Sequence, residues 1–256
     1  MRIGGIVLAG DGEGKALWVL ASRPLFSWVV EALSSSQILQ QLVVVGPEGV
    51  KSHLPPGVKW APPGAGTAES AFSGLKALEG DLPWILLVTG DIPFLTPEGV
   101  RDFLERCRER EGEVYYPIIE RERVEACFPG ARRTYVPLKE GVFTGGNILL
   151  IKRDVFLRHF PWVQKLVALR KKPFGLAQLL GWEILSKFLL HRLSIGDIEK
   201  RVEQLTGIKG VAVITPYAEI GMDVDKESHM HLARKLLEGE GEKDGDSGRD
   251  IGGRSG

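Results

Sequence analysis

Two textures alternate along the first two-thirds of the chain. Short continuous apolar runs, bounded by glycine, proline and polar residues, are followed by stretches in which apolar residues recur at every third or fourth position. The runs IGGIVLA (3–9), QLVVVGP (41–47), VKWAPP (58–63), WILLVTGDIPFL (84–95) and EVYYPII (113–119) predict strands, the fourth ending in a loop. Residues 24–36 predict a helix with Leu25, Trp28, Val29, Ala32 and Leu33 on one face. Residues 67–80 predict a helix stopped by Gly80, and 96–110 a helix with Thr96 as N-cap, Pro97 in its first turn and Glu98 early.

Runs that are apolar throughout belong to strands covered on both faces, and strands that alternate with helices build a parallel sheet. The pattern predicts an α/β fold of three layers, α/β/α, around a mostly parallel sheet. Ligands of such sheets bind beyond the carboxyl ends of the strands. Two loops belong at that edge, one after IVLA and one after ILLVT.

The texture changes between about residues 152 and 210. A Leu- and Trp-rich stretch with interspersed basic residues reads as two or three amphipathic helices, a helical insertion. GVAVITPY (210–217) then returns as a strand, and KESHMHLARKLLE (226–238) as a last helix. His229 and His231 lie two apart, so on a helix they do not share a face and do not suit a common metal. Residues 239–256, GEGEKDGDSGRDIGGRSG, have almost nothing apolar to bury and read as a disordered tail. The expected organisation is one domain over 1–238, carrying the insertion, followed by the tail.

Charge narrows the function classes. The 33 basic and 33 acidic side chains balance to zero, which gives no reason to expect a nucleic-acid or membrane partner. Cys107 and Cys127 lack metal-like spacing and read as reduced thiols. There is no secretory pattern at the N-terminus and no apolar run of membrane-spanning length, so a cytoplasmic location is expected.

The stretch IVLAGDGEGKAL is the first candidate for chemistry. Bare backbone N–H groups in a glycine-rich turn after a buried strand approach anions closely. Ala9 through Lys15 fit a P-loop, but Ala16 stands where a metal-binding hydroxyl is needed. A dinucleotide fingerprint fails on the spacing of its third glycine and on its acidic residue.

Four segments taken in order are more specific: IVLAGDGEGKAL leading on to RPLFSWVVEAL, LLVTGDIPFLTPEGV, FTGGNILLIKRDVF and IGMDVDKESHMHLARKLL. Together they resemble the NTP-transferase superfamily with its GT-A-like fold. They are most similar to MobA-like proteins, the group that includes molybdenum cofactor guanylyltransferase. The resemblance covers about residues 3–151 and 211–237. It implies Mg²⁺-dependent transfer of a nucleotidyl group from an NTP to a small, phosphorylated acceptor, with release of pyrophosphate. Two departures stand out. Asp11 replaces the second glycine of the family's loop, and no Arg precedes Lys15, which removes one clamp on the leaving pyrophosphate.

With that resemblance, Lys15 is expected on the outer phosphates, and Leu8, Ala9, Gly10, Gly12, Gly14 and Gly90 beside the nucleotide. Gly66 and Thr67 suit either a contact to base or ribose or simple capping of the following helix. Asp91 ends an apolar strand, where a carboxylate suits Mg²⁺. The resemblance adds a second carboxylate before the last helix, Asp225, with Asp223 as the alternative. Gly145, Gly146 and Asn147 match the segment that lines the acceptor side in that family. The insertion either packs on the sheet or forms a homodimer contact. Alternatively, Trp162, Arg170, Lys171, Lys172, Trp182 and Lys187 cover the acceptor. A nucleotide sensor on the same fold, a P-loop NTPase and a glycosyltransferase are the rival readings.

Overall fold

Strand β1 (Ile3–Leu8) has a parallel neighbour on each side, β4 (Gln41–Val45) and β6 (Trp84–Thr89), and β5 (Lys59–Ala61) extends the sheet beyond β4. The computed structural model of the protein describes residues 1–10, 15–161, 164, 180–224, 230 and 233–234. The expected tail, His229 and His231 lie outside these, as does most of the expected last helix. Its described residues Met230 and Ala233 are buried against Leu20, Leu25 and Val224. Among the described residues no helix is long and apolar enough to cross a membrane.

The middle positions of β1, β4 and β6 are apolar without alternation because both faces are covered. Ile3, Val7, Val44, Leu86 and Val88 meet α1 (Leu25–Ser36) and α3 (Pro97–Arg106) on one face. Ile6, Val43, Val45, Ile85 and Leu87 meet α2 (Thr67–Ala77) and the short α5 (Arg153–Arg158) on the other. This is the expected three-layer α/β/α arrangement. Thr96 caps α3 as expected, its hydroxyl oxygen accepting from the Gly99 N–H at 3.0 Å, a bond worth about 1 kcal/mol.

Three details differ from the sequence reading. Helix α2 ends at Ala77, before Gly80, because Leu78 turns extended and packs where β1 has no side chain; a Cβ on Gly4 would lie 2.8 Å from its Cδ1. Trp28 is half-buried rather than in the core row of α1, where Phe26 and Val30 are buried instead. Its indole N–H donates to the Leu20 carbonyl at 3.3 Å, and the Arg23 guanidinium sits 4.5 Å above its ring. The two-stranded pair β2 (Val19–Leu20) and β3 (Arg23–Pro24) that supplies these partners was not anticipated.

The far half of the sheet is mixed. Strand β7 (Val114–Glu120) does not pair with β6. Antiparallel β10 (Ile148–Lys152) lies between them, and β11 (Gly210–Ile214) joins the other edge of β7 in parallel. A hairpin of β8 (Val136–Leu138) and β9 (Gly141–Gly145) follows α4 (Arg121–Cys127). The insertion contains α6 (Trp182–Leu189) and α7 (Ile195–Thr206), the latter opened by a reciprocal Ser194–Asp197 capping box. Cys107 is buried and Cys127 exposed. Burial pushes the Cys107 thiol up to about 12, so it is a packing residue and not a nucleophile.

Candidate active site

The carboxyl ends of β1, β4, β5 and β6 meet along one edge, and a short ladder of backbone bonds locks their loops together. The Ala9 N–H donates to the Val45 carbonyl at 2.8 Å, Gly46 to Ala61 at 3.2 Å, and Gly90 to Leu8 at 2.9 Å. A Cβ on Gly90 would lie 3.1 Å from the Ala9 Cα, and one on Gly10 would lie 3.1 Å from the Gly46 Cα and 3.3 Å from the Pro63 Cβ. Glycine is needed at both positions for the loops to touch. Leu8, Ala9, Gly10 and Gly90 therefore pack together at this edge, and Pro63 borders them. Gly66 is the N-cap of α2 with extended backbone, and Thr67 begins the helix. Gly66 thus holds the capping position itself, with no side-chain cap bond there.

Residues 11–14, which include Gly12 and Gly14, lie outside the described residues. Lys15 opens a single 3₁₀ turn, Lys15–Leu17, and the chain becomes extended again at Val19. A P-loop lysine instead enters a long helix whose N-terminus faces the phosphates; here the first long helix starts only at Leu25.

The third piece of the edge is a bulge. Strand β7 pairs with β10 through Tyr115 and Leu150, then with β9 through Ile118 and Gly145. Four residues, 146–149, thus oppose two, 116 and 117, and the extra length sits at Gly146–Asn147. Gly146 donates to the Pro117 carbonyl at 2.9 Å, Asn147 donates to Ile220 at 2.9 Å, and the Asn147 carbonyl accepts from Thr89 at 3.1 Å. Gly145, Gly146 and Asn147, read from the sequence as an acceptor segment, are in this way tied to the end of β6.

Asp91 lies two residues beyond β6. Its carbonyl accepts from the Val224 N–H at 2.8 Å, so the GDIPF and GMDVD segments meet, as expected, across more than a hundred intervening residues. The Asp91 Oδ1 is buried and has no hydrogen-bond donor among the described residues. A carboxylate oxygen withheld from water and from donors is costly unless a cation meets it, so this residue fits a Mg²⁺ ligand. Asp225 follows Val224 directly and lies outside the described residues. Asp223 is only 4% exposed and is ion-paired with Arg133, whose other guanidinium nitrogen donates to the Gly145 carbonyl at 3.1 Å. Among the described residues no three His, Cys, Asp or Glu side chains group as a metal set.

Arg133 and Glu219 carried no signal in the sequence. Arg133 reaches in from the loop before β8. Glu219 sits on the 3₁₀ turn Ala218–Gly221, and its Oε1 accepts from the Thr96 hydroxyl at 2.8 Å. Burial raises the Glu219 pKa above its ordinary 4.5. A carboxyl whose folded pKa is raised contributes its full stability below 4.5 and loses it as pH rises through the folded value. Glu219→Gln should therefore gain on the wild type as pH is raised from below 4.5 towards neutrality. Thermal unfolding of both proteins across that window checks this; a constant difference would contradict it.

Of the residues proposed to cover the acceptor, Trp162, Arg170, Lys171 and Lys172 lie outside the described residues. Trp182 is 77% exposed. Lys187, on α6, bonds Asp197 at 2.8 Å and Glu183 at 2.9 Å, which ties its ammonium to the first turn of α7.

A family model described as the MobA-like NTP transferase domain matches residues 5–172. The chain belongs to that family. The structure is similar to one described as a hypothetical transferase from Thermus thermophilus, 40% identical, with a TM-score of 0.77 over 90% of this chain and 100% of that one. A CMP:2-keto-3-deoxy-manno-octonic acid synthetase complexed with CTP shares the fold at 16% identity, with a TM-score of 0.61 over 94% of this chain and 100% of that one. Among curated relatives, the 2-C-methyl-D-erythritol 4-phosphate cytidylyltransferase of Chlamydia muridarum is 33% identical over 99 residues, 35% of this chain and 44% of the relative. The chain spans about half or less of the length of the curated relatives it matches. Membership of this family sets the glycine loop and Asp91 in an NTP-transferase frame rather than a P-loop one.

Proposed function

We propose that the protein transfers a nucleotidyl group from an NTP to a small phosphorylated acceptor. The observation that carries this reading is the buried, donor-free Oδ1 of Asp91 at the edge shared with the Leu8–Gly10 loop. Asp91 and Asp225 would hold a Mg²⁺ ion, which supplies charge neutralisation at the triphosphate. Lys15 and the glycine loop bind the outer phosphates. An acceptor phosphate oxygen attacks the α-phosphorus in line. The bond from that phosphorus to the bridging oxygen breaks, and pyrophosphate leaves with the electron pair. A phosphate acceptor is already anionic, so the reaction needs no strong general base, in keeping with the inert Cys107.

The first experiment is thermal unfolding with each NTP and Mg²⁺, since a ligand at a hundred times its Kd adds about 2.7 kcal/mol. Lys15→Ala should weaken NTP binding by about 1.5–3 kcal/mol and NMP binding much less, because the lost contact is to the outer phosphates. Equal losses for NTP and NMP would mean that Lys15 supports the loop instead. A second reading, a nucleotide sensor without turnover, is favoured by Asp11 and by the missing Arg before Lys15. Pyrophosphate release with phosphorylated acceptors separates the two.

A further inference from the structure

A cavity of about 320 Å³ lies over the sheet between α2 and α7. Leu87, Leu149 and Ile151 form its floor, Ala71 and Val202 its sides, and Leu8 joins it to the first glycine loop. The polar groups of Tyr116, Thr206 and Glu199 are already satisfied within the wall. The Tyr116 hydroxyl donates to the Gly146 carbonyl at 3.0 Å, and the Thr206 hydroxyl to Val202 at 2.7 Å. The Glu199 carboxylate accepts from Arg110 at 2.6 and 2.9 Å and from the Ala212 N–H at 2.8 Å. Two polar atoms of the lining residues, Thr89 Oγ1 and Asn147 Nδ2, are closed off and have no hydrogen-bond partner among the described residues. They belong to neighbouring residues, joined by the 3.1 Å bond from the Thr89 N–H to the Asn147 carbonyl, and Thr89 is two residues from Asp91. The cavity is thus apolar along its length, and the Thr89–Asn147 end of it lies next to the proposed metal ligand.

We infer that this cavity receives the acceptor, and that the acceptor is a phosphate monoester with a hydrocarbon body; this rests on the transfer reading above. Its phosphate would lie at the Thr89–Asn147 end, beside Asp91 and the cation proposed there, and its chain would lie along Leu87, Leu149 and Val202. A sugar phosphate does not fit, because its hydroxyls would enter an apolar wall without partners. The volume is at the lower end for ligand pockets, which limits the body to a short or branched chain.

Calorimetric titration of the wild-type protein with ethyl, butyl and hexyl monophosphate, against 6-hydroxyhexyl phosphate and glucose 6-phosphate, tests the inference. Affinity should rise on the order of threefold to fourfold per methylene until the cavity is full. The hydroxylated probes should bind no better than ethyl phosphate. Val202→Trp, on the half-buried face of α7, should flatten the alkyl series while the melting-temperature rise with NTP is kept. A flat alkyl series in the wild type, or a gradient that survives Val202→Trp, overturns the inference. An alkyl gradient abolished by Val202→Trp, with no stabilisation by any NTP, would leave the ligand class standing and remove its role as acceptor in a transfer. Stabilisation by an NTP with no gradient would leave the transfer reading standing and remove the hydrocarbon acceptor.

Discussion

Asp91→Asn should abolish metal-dependent transfer while the protein still folds. The swap keeps the shape of the side chain and the backbone bond from Val224 to the Asp91 carbonyl. It removes no hydrogen bond at Oδ1 that the described residues make. What it removes is the negative charge that would hold the cation, and with it the neutralisation of the triphosphate at the moment of attack. Even outer residues around a bound metal cost about 10–100-fold when replaced, so the loss of a ligand should exceed about a hundredfold. Stability should stay within about 0.5 kcal/mol. Asp225→Asn should lose activity to a similar degree. The check is transfer rate with Mg²⁺ titration, beside a melting curve, for each variant. Full activity in Asp91→Asn would overturn the mechanism. A normal rate in Asp225→Asn, with a dead Asp91→Asn, would overturn only the choice of partner.

How much of this site is legible in the sequence depends on how local its causes are. The parallel half of the sheet is legible because each strand carries its own instruction: Val43 and Val45 face one layer, Leu42 and Val44 the other, and no polar residue interrupts them. The Thr96 cap is legible because donor and acceptor lie three residues apart. The GDIPF and GMDVD segments could be paired only through the resemblance, since nothing local says that Val224 will bond Asp91. The bulge at Gly146–Asn147 reads in sequence as two glycines ahead of a strand. That β9 precedes it on the same edge of β7 is a matter of partners, not of pattern. Helix α4 is hidden because it is short and charged, with Val124 its one buried residue. The cavity shows the same limit. Leu149 and Ile151 look like ordinary core residues, and only the placement of α7 opposite α2 gives them a ligand-sized space to line.

The same reasoning gives the largest expected loss of stability, at Arg133. Asp223 is 4% exposed, and the Arg133 side chain that pairs with it is 14% exposed. Pairs this far from water gain little over an apolar alternative, but taking one partner away leaves a charge whose hydration was already given up. Arg133→Met should therefore cost about 3–5 kcal/mol. The guanidinium also donates to the Gly145 carbonyl, so the effect should reach the bulge and, through Asn147, the end of β6. Asp223→Leu alone should also be costly, because it takes away the carboxylate of the ion pair. The double variant Arg133→Met/Asp223→Leu should lie closer to the wild type than either single change, since it removes both charges and restores apolar contact. Denaturant unfolding of the four proteins completes the cycle. If the two single losses simply add in the double variant, Arg133 and Asp223 do not act as a pair. If they do not add and the double variant still binds NTP, the pair holds the edge in shape and takes no part in nucleotide binding.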